Sequence, residues 1–186
     1  LNQAGNNFSS VSITSGNNVA LVDANAIDLG ASAIGGTLDV TTTNGAISDS
    51  GNVSVVGNAT LNDVAKLGIT LDTLQADSNV IVASAGNTLI SNDSLLNIEG
   101  TVTGTLSAEA LSGGIADSGE LNVSGNATFT SAGGTDVILD NAANTFEGTI
   151  QLSGKNNVAL ANATIKDDSD GIALLDLDLV NALGLD

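Results

Sequence analysis

The sequence predicts an all-β fold, and within that class a right-handed parallel β-helix, or β-solenoid, of about eight coils. Three observations lead there. Apolar residues recur in pairs with one polar residue between them, the alternation of a strand with one buried face, and the stretches so marked are very short. One sentence of the sequence is written twice. The chain has no Pro and only 2% aromatic residues. The first absence suits strands paired on both sides, each of which needs its N–H. The second speaks against a sandwich, whose strands are longer and whose core carries aromatics.

Taken in order, the alternating pairs are Val11/Ile13, Val19/Leu21, Ile27/Leu29, Leu38/Val40, Val53/Val55, Ala59/Leu61, Ile69/Leu71 and Val80/Val82. They resume as Leu121/Val123, Ala127/Phe129, Val137/Leu139, Ile150/Leu152 and Val158/Leu160. Gly, Asn, Asp and Ser separate them, residues that make turns by accepting positive φ or by bonding their own backbone. Before residue 172 no segment has a helical period. Each coil is expected to hold about 20–25 residues, with inward aliphatic side chains stacked on those of the next coil and Asn side chains laddered at the corners. At a strand spacing of ~4.8 Å the rod is roughly 40 Å long.

The duplicated sentence is "GAISDSGNVSVVGNATLN" at 45–62 and "GGIADSGELNVSGNATFT" at 113–130, identical at ten of eighteen positions and 68 residues apart. A second echo joins "LNQAGNNF" at 1–8 to "LDNAANTF" at 139–146, and "NNVAL" at 17–21 to the same string at 156–160, 139 residues on. A solenoid coil cannot bury its own apolar face, so such repetition serves stacking. Ile47, Val53, Val55 and Leu61 are expected to point inward, as are Ile115, Leu121, Val123 and Phe129, with Ser54 and Thr60 outward. Gly51 and Gly119, each after "DS", are expected to supply a turn of positive φ.

Composition excludes several function classes. The net charge is −18, from 21 acidic residues against Lys66, Lys155 and Lys166, and it repels phosphate backbones and anionic lipid. Nucleic acid is therefore not an expected partner, and with no run of 18 apolar residues neither is membrane insertion. Cations, basic proteins and neutral glycans remain. Without Cys there is neither a disulfide framework nor thiol chemistry. The chain begins at Leu1 rather than Met and reads as one continuous β-helix segment, 1–186, of a longer protein. Its tail, "IALLDLDLVNALGLD" at 172–186, reads as a last coil or a cap. An uncovered coil end invites strand addition, so end-to-end self-association is an expectation too.

Three patterns invite chemistry. Paired carboxylates could perform acid–base work on a polysaccharide, the candidates being Asp49 with Asp117 or Asp136 with Asp140. Asp49 and Asp117, however, occupy the same "DSG" turn of the two repeats, a structural position. Arg and His, usual companions of such sites, are absent. The reading is therefore no catalysis. "KDDSDG" at 166–171 gathers Asp167, Asp168 and Asp170 before a Gly, hard oxygen ligands of the kind Ca²⁺ takes. Lys166 stands at the first-ligand position and Leu177 at the twelfth, so the EF-hand pattern fails and a solvated acidic loop is the plainer reading. No other cofactor is expected. Asn-Ala-Thr sequons recur at Asn58, Asn126 and Asn162, where an Asn corner followed by alternating residues writes the same string.

The stretch "GGIADSGELNVSGNATFTSAGGTDVILDNAANTFEGTIQLSGKNNVALANA", 113–163, resembles the passenger repeats of filamentous-haemagglutinin-like exoproteins, and "LNQAGNNFSSVSITSGNNVALVDANAIDLG", 1–30, is similar to the same pattern. The likeness is weakest across 63–99 and after 167. The secretion-signal domain of that family, with its Asn-Pro motifs, is not in this Pro-free chain. The resemblance implies a shaft segment displayed extracellularly, at the surface of a Gram-negative-type bacterium, with an outer-membrane secretion partner for the parent protein. It implies adhesion, aggregation or biofilm formation through a host or neighbouring-cell glycan or protein. Built by end-to-end stacking, the same chain would instead be the subunit of an extracellular fibre. A glycan-processing enzyme is the distant alternative.

Overall fold

The computed structural model describes residues 1–168 and 173–177. It is a β-solenoid of stacked parallel coils, with no α-helix among the described residues and a single 3₁₀ turn, Lys155–Asn157. Strands pair only with the coils before and after them, in two sheets. Sheet I has 11 strands and sheet II has 10. The longest path through sheet II visits eight strands. That is seven steps between eight rungs, in keeping with the stack of about eight coils that the sequence predicts. Register fixes coil length: Val19 lies opposite Leu38 (19 residues), Leu38 opposite Ala59 (21), Val80 opposite Ile98 (18) and Val137 opposite Ala163 (26). The coils are longest at the end of the chain, and 18-residue coils occur both at its start, from Ser10 to Asp28, and in its middle.

The interior is built as the alternation requires. Leu21, Val40, Leu61 and Val82 stack in one column of sheet II. Leu71, Ile90, Ala108, Phe129 and Leu152 stack in one of sheet I. All are at most 2% exposed, each buried aliphatic contributing about 1.5–3 kcal/mol. The eight residues expected inward from the duplicated sentence are all buried to 1% or less. The small Ala108 sits beneath Phe129, whose ring meets that of Phe146 edge-on at 6.1 Å and 89°.

The 68-residue repeat has a consequence that its sequence does not display. Residues 68 or 69 apart lie in opposite sheets. Val19–Asp23 of sheet II corresponds to Thr88–Asn92 of sheet I, Leu38–Thr42 to Leu106–Ala110, and Ala59–Asp63 to Ala127–Ser131. Conversely, Ile47–Asp49 and Val53–Val55 of sheet I correspond to Ile115–Ala116 and Leu121–Val123 of sheet II. One repeat is three and a half coils, so the second copy is turned by half a revolution about the solenoid axis. The split face moves with it. In the first copy sheet I is divided into two short strands per coil, and in the second copy sheet II is. The long strands Ile69–Ala76 and Leu96–Val102, each pairing with two short strands, are where the divided faces merge.

Two expectations change. Val158–Leu160 is not a strand. The chain leaves Thr149–Gly154 through the 3₁₀ turn, with Asn156 and Asn157 at φ of 57° and 59°, and Val158 is exposed while Ala159 and Leu160 are buried. Gly51 and Gly119 do not have positive φ. Close approach explains Gly51, where a Cβ would lie 2.7 Å from the amide nitrogen of Ala31 in the coil below; at Gly119 it would meet only the end of the Glu99 side chain. Within the tail, Ala173–Leu177 is a strand that pairs with Thr149–Gly154, and the remainder of 172–186 lies outside the described residues.

Candidate functional site

Polar side chains at the corners bind one coil to the next. The "DSG" carboxylates do so most directly. Asp49 accepts hydrogen bonds from the amides of Asp72 and Thr73, each at 2.9 Å, and from the Thr73 hydroxyl at 2.8 Å. In the second copy Asp117 accepts from the amides of Asp140 and Asn141 at 3.1 and 3.2 Å and from Asn144 Nδ2 at 2.6 Å. A carboxylate can accept several bonds, and two adjacent amides at a coil corner need an acceptor. The two aspartates are thus repeats of one structural device on opposite faces, and they do not form a pair. Asp136 and Asp140 lie at the two ends of Val137–Leu139, and Asp136 Oδ1 accepts from Asn162 Nδ2 at 2.9 Å.

The corner asparagines bond to the neighbouring coil, but singly, to an amide, a hydroxyl or a carboxylate, and not as the Asn-on-Asn ladders expected. Asn18 Oδ1 accepts the Thr37 amide and Asn87 Oδ1 the Thr105 amide, at 3.1 and 2.9 Å, in equivalent places of the two copies. The sequon residues belong to this set. Asn58 Oδ1 accepts from the Ser78 hydroxyl, Asn126 Oδ1 from the Thr149 amide, and Asn162 reaches Asp136. Of the residues read as a Ca²⁺ loop, Asp167 Oδ1 accepts the Phe146 amide at 3.1 Å, exposed Asp168 donates its amide to the Asn144 carbonyl, and Asp170 lies outside the described residues. Among the described residues no three His, Cys, Asp or Glu side chains come together as a metal-holding group.

The surface is shallowly grooved. One groove of about 520 Å³ runs beside Leu95, Ala116, Ile138 and Ala161, with Asp136 and Asn162 on its polar side. Another, about 400 Å³, lies along Ala33, Ser54 and Gln75. Neither holds two carboxylates.

Reading by pattern also missed a polar column inside the core. Asp23, Thr42 and Asp63 end three successive strands of sheet II, stand in register, and are each 0% exposed. The signal was present in "LVD" and "LND", since two residues past an inward Leu is again inward.

Stacked coils, inward aliphatic columns and coil-to-coil bonds from polar corner side chains define a β-solenoid repeat protein. More narrowly, the chain belongs to the family described as repeats of unknown function (DUF5649), whose pattern it matches twice in tandem, over residues 16–84 and 85–153. No curated protein and no solved structure matches it.

Proposed function

We propose that this solenoid is a structural and adhesive segment of a secreted bacterial surface adhesin, without catalysis, and that its outward faces engage a glycan or protein of a host or neighbouring cell. The observation that carries the reading is the use of its polar residues. Asp49, Asp117 and Asp136, the carboxylates best placed by sequence for acid–base chemistry, are committed to holding coil on coil. The resemblance of 113–163 to filamentous-haemagglutinin-like passengers supports secretion and surface display. Beads coated with the chain are expected to adhere to epithelial or bacterial cells several-fold above albumin-coated beads. Equal retention overturns the adhesive reading, and release of reducing ends from a polysaccharide panel overturns the non-catalytic one.

A second reading, the chain as a stacking unit of an extracellular fibre, draws on the seven-coil echo. The Phe8 amide donates to the Asp23 carboxylate, and the Phe146 amide donates to the Asp167 carboxylate. The first coil and the one seven turns later thus close in the same way. Negative-stain images at low and high concentration separate the readings: filaments that lengthen with concentration support the fibre, and rods of fixed length refute it.

A further inference from the structure

One corner of the repeat unit is built in opposite senses in the two copies. After Ala59–Asp63 the chain bulges outward through residues 64–68 before it enters Ile69–Ala76. Lys66 at φ of 58° and Gly68 at φ of 124° turn the backbone. The buried Asp63 holds the base of the bulge: its carbonyl accepts the Lys66 amide at 3.1 Å and its carboxylate accepts the Gly68 amide. Val64, Ala65, Lys66 and Leu67 are all exposed, Val64 at 52% and Leu67 at 61%. A lone exposed Leu needs no explanation, but two large apolar side chains astride a cation in one projecting turn do. Lys66 is the only base before Lys155, and it pairs with no carboxylate among the described residues.

Sixty-eight residues on, the same corner reads Ala132–Asp136, with two glycines where the bulky side chains stood. Here the surface is hollow. Gly134, Thr135 and Asp136 border the groove of about 520 Å³ whose apolar side is formed by Leu95, Ala116 and Ile138. Leu95 is 53% exposed. The first copy thus presents a knob of apolar surface beside an ammonium, and the second a hollow of apolar surface beside a carboxylate.

We propose that knob and groove are the two halves of a side-to-side contact between copies of this chain, Val64 and Leu67 of one copy seated against Leu95 and Ile138 of the next, with Lys66 facing Asp136. Charge complementarity selects the occupant. On a chain of net charge −18 the knob brings the scarce cation and the groove an acid, each beside apolar surface. The phasing of the repeat then fixes the geometry. Knob and groove lie on opposite edges of the rod, half a revolution and three and a half coils apart, or ~17 Å along the axis. No two-fold dimer can bury both pairs at once, because they face away from each other. The contact is therefore heterologous: each parallel copy lies beside the last, stepped by one repeat, in an open raft. So small a contact is weak and acts where many rods are held close together. It is distinct from coil-end stacking, which uses neither surface.

Sedimentation velocity of the full chain tests this. Chains of like charge repel, so association should strengthen as salt shortens the Debye length from ~30 Å at 0.01 M to ~8 Å at 0.15 M. At the higher salt, wild type should pass reversibly from monomer to a series of oligomers as its concentration approaches ~1 mM. Leu67→Glu removes the knob and Ile138→Glu blocks the groove. Both side chains point outward, and circular dichroism should show both variants folded. Each alone should associate at least ~tenfold more weakly, as loss of a central apolar anchor requires. Mixed, the two should form one-to-one dimers and nothing larger, since each retains the half that the other lacks. A wild type that stays monomeric at every concentration and salt overturns the proposal and leaves the groove to a different occupant. Oligomers that persist in either variant, as coil-end stacking requires, overturn it, and so does a mixture of the variants that stays monomeric.

Discussion

Replacing the aspartate of the duplicated "DSG" turn by alanine should be unequally costly at its two occurrences, although the local sequences match. Asp117→Ala removes the acceptor of three bonds. Two donors, the amides of Asp140 and Asn141, lie at a water-accessible corner, and solvent replaces their partner at about 0.5 kcal/mol each. The third is different. Asn144 is 0% exposed, and its Oδ1 is held by the buried Leu121 amide at 2.9 Å, so the amide group cannot swing outward. Its Nδ2 is left without a partner, at about 1–3 kcal/mol. The total is about 2–4 kcal/mol. Asp49→Ala strands no such group, because the Thr73 hydroxyl also reaches the Gly51 carbonyl at 2.9 Å and Thr73 is half-buried. Its expected cost is about 1–1.5 kcal/mol. For a chain of this length the difference is a Tm gap of about 3–6 °C, readable by circular dichroism or scanning calorimetry. Equal losses at the two sites, or a loss below about 1 kcal/mol for Asp117→Ala, would refute the account of Asn144.

Phe129→Ala should cost about 3–5 kcal/mol, because the ring is fully buried between coils and Ala108 cannot fill the space; urea denaturation checks this, and a loss under about 2 kcal/mol means the column collapses around the gap. Gly100→Ala should cost more than about 2 kcal/mol and disturb the pairing of Leu96–Val102, since Gly100 has φ of +120° and an added Cβ would lie 2.0 Å from the Val82 carbonyl oxygen; unchanged stability would contradict that close approach. Glu109→Gln should cost less than about 1 kcal/mol, an effect that disappears at 1 M salt, because the 2.7 Å pair with Lys155 is partly exposed and screened. Comparing melting curves at low and high salt decides it.

Fold class, inward residues and corner asparagines were legible because each is a local statement. Val53 and Val55, or Leu121 and Val123, declare a strand with one buried face within three residues, and Asn before a turn declares a polar corner. What was not legible depends on counting coils. A unit of 68–69 residues divides into three coils of ~23 residues or three and a half of ~20, and the expected range of coil lengths admitted both. The difference turns on the short coils between Ile69 and Ala110, where Val80 to Ile98 is only 18 residues. Sequence marks that region weakly because its strands merge two faces and their alternation is interrupted. The end was misjudged for a related reason. "NNVAL" forms a strand at Val19–Asp23, but its echo at 156–160 follows Thr149–Gly154 at once, and the asparagines are used up in a turn. The buried column of Asp23, Thr42 and Asp63 went unread because a carboxylate in a turn-rich chain is first taken as solvated, although strict alternation sends both aspartates inward.

Half-turn phasing gives this repeat a handed grammar. In any longer array of such units, a patch encoded once per unit emerges on alternate sides, like leaves along a stem, with same-side neighbours two units and roughly 34 Å apart. A receptor that grips two neighbouring patches must therefore reach around the rod, whereas a flat surface meets only every second one. Gain or loss of a single unit leaves every strand in register and every column filled, yet it turns all that lies beyond it to face the other way.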